Sequence, residues 1–241
     1  ADVLTAELDF STYGAPAENY PLIFRGYTSS ANDGGIGEID GDSYPVVNDS
    51  TLHWTFWVDM KIQSSLNGNV LNIGNNSVVH NCEVYNSEGA ADYLIDVETN
   101  SIVSRCYAYG ANSNGKAITT GGYSLVLHNF VDMRDGLDPA IYVSASCTVI
   151  GNIITCDATD GIAIECTNNA YNVKIMGNIC YSSGANTEAA IWLGNAAGEW
   201  GSMIFNNIIV GWSGADGAGV ESTSDILWMG YNAFYNCTSD Y

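Results

Sequence analysis

Val79-His80-Asn81-Cys82-Glu83-Val84 can be laid over Val103-Ser104-Arg105-Cys106-Tyr107-Ala108, and the series continues down the chain. Below them fall Leu127-His128-Asn129-Phe130-Val131, Ile150-Gly151-Asn152-Ile153-Ile154 and Met176-Gly177-Asn178-Ile179-Cys180. Phe205-Asn206-Asn207-Ile208-Ile209 and Gly230-Tyr231-Asn232-Ala233-Phe234 complete it, and Asp59, in Trp57-Val58-Asp59-Met60-Lys61-Ile62, fits one repeat earlier. The polar residue, mostly Asn, returns after 22, 24, 24, 23, 26, 29 and 25 residues. A period of this length marks a stacked-repeat architecture. Arg105 interrupts the series and is expected to point outward or to hydrogen-bond a neighbouring carbonyl.

A second register runs beside the first. Ile95, Ile118, Ile141, Ile164, Ile191 and Val220 each sit in a short alternating segment, usually behind a turn containing Gly or Asp. Alternation over four to six residues signals strand, and no stretch sustains a 3.6-residue period. Two or three short strands per repeat describe a β-solenoid, whereas a propeller blade would need about 40 residues per repeat. The expected fold is all-β, a single-stranded right-handed parallel β-helix of about eight coils. Asn suits a tight corner because it tolerates left-handed backbone angles and its amide both donates and accepts. One stacked asparagine per coil is therefore expected.

Composition agrees. Hydrophobic residues make up 46% of the 241, enough for a continuous core, while charged residues are only 14% against about 25% in ordinary domains. Polarity is carried by amides, hydroxyls and 26 glycines. The net charge is −21 with six Lys and Arg, so no basic patch for nucleic acid can be assembled and an anionic membrane surface would repel the chain. No apolar run reaches the roughly 18 residues of a membrane helix. The opening Ala1-Asp2-Val3-Leu4 has no basic n-region, which leaves open a removed leader or a longer chain. Seven cysteines without a CxxC pair suggest neither a zinc ribbon nor a disulfide framework, but buried thiols acting as small hydrophobes.

Pro21-Leu22-Ile23-Phe24-Arg25-Gly26-Tyr27-Thr28, then Asp33-Gly34-Gly35 and Glu38-Ile39-Asp40-Gly41, together with the Asn series, resemble the pectate-lyase-like superfamily of right-handed β-helices, in particular its bacterial and phage members. The resemblance spans residues 21 to 237. It implies the fold, and it implies that ligands lie along the outer face of the first sheet. It does not imply one activity, since lyases, hydrolases, epimerases, adhesins and virion spikes share that fold. Superfamily lyases place a calcium-binding Asp cluster beside an Arg or Lys base, whereas here Arg25, Lys61, Arg105, Lys116, Arg134 and Lys174 are scattered, and only Lys116 and Arg134 fall near the candidate sheet. The polygalacturonase motifs are missing, and Asp138-Pro139 is followed by Ala140 where alginate epimerases carry His.

With Ile95 and its equivalents inward, the next residues form an outward file: Asp96, Thr119, Tyr142, Glu165, Trp192 and Glu221. Tyr142 and Trp192, two coils or about 10 Å apart, are the expected sugar-stacking rings, with Glu165 between them as a hydroxyl acceptor. Outward carboxylates are also what a chain with 27 of them must show on any face. Asp135, Asp138, Asp157 and Asp160 lie in turns leading into this sheet; an enzyme would draw its carboxyl pair from Asp138, Asp160 and Glu165. Asp33, Asp40 and Asp42 are calcium candidates through oxygen ligation, although an acidic turn is the preferred reading and no other cofactor is expected. His80 and His128 lack a third ligand, and the Gly-Gly pairs are turns.

The expected organisation is a cap or linker over residues 1–20 and a β-helix over 21–241 whose last coil is incomplete. The expected function is a non-catalytic extracellular or virion structural module, of phage spike, capsid decoration or adhesin type, with a carbohydrate-compatible flank. A polysaccharide hydrolase or lyase is the alternative. A homo-oligomer or larger assembly is the expected working state.

Overall fold

The computed structural model describes residues 2–3, 20–27, 35–42, 44–65, 68–86, 93–110, 115–133, 139–157, 159–167, 171–183, 186–194, 201–222 and 226–241. These residues form strands, turns and no helix. One coil runs from Tyr93–Val97 in a first sheet to Ile102–Ser104 in a second and Tyr107–Gly110 in a third, and the next begins at Lys116–Thr120. Every pairing joins a strand to its equivalent one coil away, in parallel: Ile95 with Ile118, Val103 with Val126, Ala108 with Val131. Among the described residues the first sheet has eight strands, the second nine and the third ten. The described residues thus form a three-sided parallel β-solenoid of about seven turns.

Each short strand alternates, and the first sheet sends two side chains per coil to the axis, such as Leu71 and Ile73, Ile95 and Val97, and Ile141 and Val143. Val47, Leu71, Ile95, Ile118, Ile141, Ile164, Ile191 and Val220 stack in register in the first sheet, all fully buried. Each such side chain contributes about 1.5–3 kcal/mol by leaving water, and the stack repeats down the axis. Six cysteines join this interior as free thiols; burial pushes Cys180 up to about 12 and Cys156 and Cys166 further, so these three are inert filler.

The corner between the second and third sheets corrects the sequence reading. Two neighbouring files share it. The outer file, Asp59, Asn81, Arg105, His128, Gly151, Gly177, Asn206 and Tyr231, has φ between +52° and +67° and makes the turn. The inner file is Met60, Cys82, Cys106, Asn129, Asn152, Asn178, Asn207 and Asn232. Asparagine therefore occupies the last five coils and not every coil, and Asp59, Asn81 and Arg105 belong to the outer file. The reason is a division of labour: one residue adopts the left-handed conformation and the next satisfies the buried polar groups. Asn152 Nδ2 donates to Asn178 Oδ1 (2.9 Å) and to the Val126 carbonyl (3.1 Å), and Asn178 and Asn207 repeat the pattern. In the earlier coils, thiols take that place, with Cys82 Sγ donating to the Trp57 carbonyl and Cys106 Sγ to that of Val79. Arg105 is exposed, as expected.

The corner between the first and second sheets is built the same way. Trp54, Asn76, Asn100, Tyr123, Ser146 and Asn172 have positive φ, each followed by a buried residue: Thr55, Ser77, Ser101, Ser124, Cys147 and Val173. The Ser77 amide donates to Ser101 Oγ and the Ser101 amide to Ser124 Oγ, both at 3.1 Å. A hydroxyl ladder thus lines this corner in the coils where the other corner holds Met60, Cys82 and Cys106, and after Ser124 it gives way to Cys147 and Val173, where the amide ladder runs. Of the segment expected as a cap or linker, Asp2–Val3 adds a strand to the third sheet beside Gly37–Asp40, and residues 4–19 lie outside the described residues.

Candidate functional site

The inward stack of the first sheet fixes what its outer face presents. Asn48, Asn72, Asp96, Thr119, Tyr142, Glu165, Trp192 and Glu221 follow one another in strict register. At about 4.8 Å per coil the file is about 34 Å long. Tyr142 and Trp192 stand two coils apart with Glu165 between them, and all three are half-buried.

Lys116 sits beside the file at the head of Lys116–Thr120, in register with Tyr93. Its Nζ lies 4.7 Å from the centroid of the Tyr142 ring and 5.4 Å from that of Tyr93, so one cation joins rings on the coils either side of it. Burial, then the Glu165 charge, raises the Tyr142 phenol above its ordinary value. Asp96 is raised to about 6, chiefly by burial and then by Glu98, against a smaller opposing pull from Lys116.

The amide end of the file has acceptors to spare. Asn48 Oδ1 accepts from Asn72 Nδ2 at 2.9 Å and from Asn69 Nδ2 at 3.3 Å. That leaves Asn72 Oδ1, Asn69 Oδ1 and Thr119 Oγ1 buried with no partner among the described residues. Buried polar atoms in native proteins are nearly always paired, to protein, water or ligand. Acceptors, ring faces and carboxylates in one line are the complement of a ligand rich in hydroxyl donors.

Asp160 is not part of the file. It is exposed in the turn before Ile164–Cys166, and its carboxylate accepts from the Thr187 hydroxyl. Glu188 stands near it, raised first by burial and then by Asp160, Glu221 and Asp216, so this flank is acidic. Asp138 and Asp33 lie outside the described residues. Asp40 accepts from Gln63 Nε2 at 2.7 Å and from the Asp42 amide at 2.8 Å, closing a turn. Among the described residues no three His, Cys, Asp or Glu side chains converge as metal ligands. Sequence reasoning placed Lys116 near this sheet without its ring contacts, and it missed Asn48, Asn72 and Tyr93. The 24-residue steps from Asn48 to Asn72 to Asp96 carried the signal for the first two.

No protein-family model matches the chain, and no curated protein matches it. Among solved structures it is similar to that of the Streptococcus pneumoniae surface protein and adhesin PfbA, at 13% identity and a TM-score of 0.45, over 94% of this chain and 82% of that one. A crystal structure described as PfbA, a surface adhesin of the same organism, matches at 13% identity and a TM-score of 0.44, over 93% and 77%. These are likenesses of fold.

Proposed function

We propose that the chain is a non-catalytic extracellular or virion-surface β-helix module that binds a neutral glycan along the outer face of its first sheet. The observation that carries this is the in-register file in which unpartnered buried acceptors at Asn72 and Thr119 run into the Tyr93–Lys116–Tyr142 sandwich and on to Trp192. Sugar hydroxyls would donate to the acceptors and sugar faces would lie on the rings. Charge selects the neutral class: a uronate polymer would meet a chain of net charge −21. Titration calorimetry against neutral oligosaccharides tests it. Trp192→Ala and Tyr142→Ala should each weaken binding by up to about tenfold, the value of one stacked ring. Binding indifferent to both would remove the site from this face. No turnover of pectate or alginate is expected, with calcium included in the assay.

Hydrolysis is the second reading, and one observation favours it. Asp96 and Glu98 are carboxyls on one strand and its following residue, and Asp96 is raised to about 6, in the range of a general acid. Release of reducing ends that Asp96→Asn abolishes would establish an enzyme and displace the binding module. Of the carboxyls considered from sequence, Asp160 is exposed in a turn off this file, Glu165 stands between Tyr142 and Trp192, and Asp138 lies outside the described residues.

A further inference from the structure

The outer face of the third sheet is unlike that of the first. Its central file reads Glu38, Lys61, Glu83, Tyr107, Phe130, Ile153, Ile179, Ile208, Ala233 in register. The five large apolar members are 38–45% exposed. Tyr109, Tyr181, Val210 and Tyr235 border them, and ring contacts at 5.0–6.3 Å tie Tyr85, Tyr109, Tyr107 and Phe130 into one surface. Across the left-handed corner, where Gly151 and Gly177 present no side chain, the surface continues onto Leu127, Ile150 and Met176 of the second sheet. In the coils from Ile102 to Val210, the outward strand positions of these two sheets carry only Asp132 and Lys174 as charges.

We infer that this face is a self-association surface on which a second copy of the chain docks antiparallel, about a two-fold axis near Ile153. The area fits. Side chains of this size, roughly 40% exposed, offer on the order of 70 Å² each, so the file with its bordering residues and the second-sheet flank reaches about 800 Å², the share of one partner in a stable interface. Charge selects both the occupant and its direction. Two copies each carrying −21 can approach closely only where exposed carboxylates are few, and between Ile102 and Val210 the outward strand positions of this face hold one, Asp132, which is 9% exposed and accepts from the Thr155 hydroxyl. A parallel in-register pair would set Glu83 against Glu83. The antiparallel pair about Ile153 sets Glu83 against Ala233, Tyr107 against Ile208 and Phe130 against Ile179, a self-complementary isologous contact. The inference is independent of the glycan site, which faces another side of the solenoid and stays open.

Sedimentation velocity in about 0.15 M salt, where the acidic flanks are screened, tests it. The full chain should pass from monomer to dimer between micromolar and hundreds of micromolar, and Ile153→Arg should stay monomeric across that range. Thermal melts of the variant verify the fold, which an exposed position leaves intact. A chain that remains monomeric throughout overturns the proposal, as does an Ile153→Arg variant that still dimerises or a monomer that binds neutral lipid vesicles through this face. Direction is read by cross-linking with oxidised glutathione in a Cys237→Ser background. A mixture of Phe130→Cys and Ile179→Cys chains should form a disulfide-linked heterodimer while neither variant links to itself. Self-linking of both would establish the parallel pair and overturn the antiparallel one.

Discussion

The corners on either side of the second sheet use two consecutive residues with opposite demands, and substitution separates them. Gly177 has φ +64° and no atom within 4 Å of where a Cβ would stand, whereas Gly151 has φ +67° and a Cβ there would sit 2.4 Å from His128 Nδ1. Gly177→Ala should therefore cost only the left-handed backbone term, about 1–2 kcal/mol, and Gly151→Ala measurably more. His128→Ala should bring the two costs together in denaturant melts; equal costs without it would show that His128 does not pack there. At the inner position, Asn152→Leu removes the acceptor for the Asn129 amide and Nδ2 and the donor to the Val126 carbonyl. The expected loss is about 2–4 kcal/mol because buried groups are left unpaired, and an unchanged melting temperature would refute it. These pairs also show why the ladder was misread by one residue in the early coils. Asn is suited to both positions, so Asn81 and Asn129 look equivalent in sequence. The deciding fact is which neighbour faces the axis, and where the inner residue is Cys82 or Cys106 the pattern carries no amide to mark it.

Among the elements, the first sheet was the most legible. Isoleucine or valine recurs at its inward positions, and strict alternation then dictates the outward file. Side chains that reach between coils were not legible: Lys116 gains its meaning from rings at Tyr93 and Tyr142, residues 23 and 26 positions away, and the hydroxyl ladder is hidden because serine is common in turns. The sheet carries a pH signature of its own. Asp96 has a folded pKa of about 6 against about 3.9 unfolded. Between those values the folded chain holds more protons than the unfolded one, so this carboxyl makes stability fall as pH rises from 4 to 6. Asp96→Asn should be more stable than the parent at pH 7.5, by about 1–3 kcal/mol, and the gap should close as pH drops below about 4. Stability curves that stay parallel across that window would show Asp96 to be well solvated.

The whole molecule is a column of unequal sides, and its charge sets its stability. It carries 27 acidic residues against six Lys and Arg. Among the described residues the ion pairs are Arg25 with Asp59 and Lys61 with Glu38, both in the first coils, so later coils hold their carboxylates with little neutralisation. Those carboxylates cluster on one side, on the first sheet and its turns, at Asp96, Glu98, Asp160, Glu165, Glu188 and Glu221. Stacking coils about 4.8 Å apart brings like charges together more closely than the unfolded chain does, so repulsion opposes the fold. At about 0.01 M salt the screening length is near 30 Å, several coils, and at about 0.15 M it is near 8 Å, less than two. Sodium chloride should therefore raise the melting temperature steeply over this range and little beyond it. A relief of about 2 kcal/mol corresponds to roughly 4–8 °C for a chain of this size. Asp160→Asn and Glu188→Gln together should raise the low-salt melting point and flatten its salt dependence. A melting temperature that falls with salt would mean that attractive pairs outweigh the repulsion, and would overturn this account of an acidic flank held together by its core.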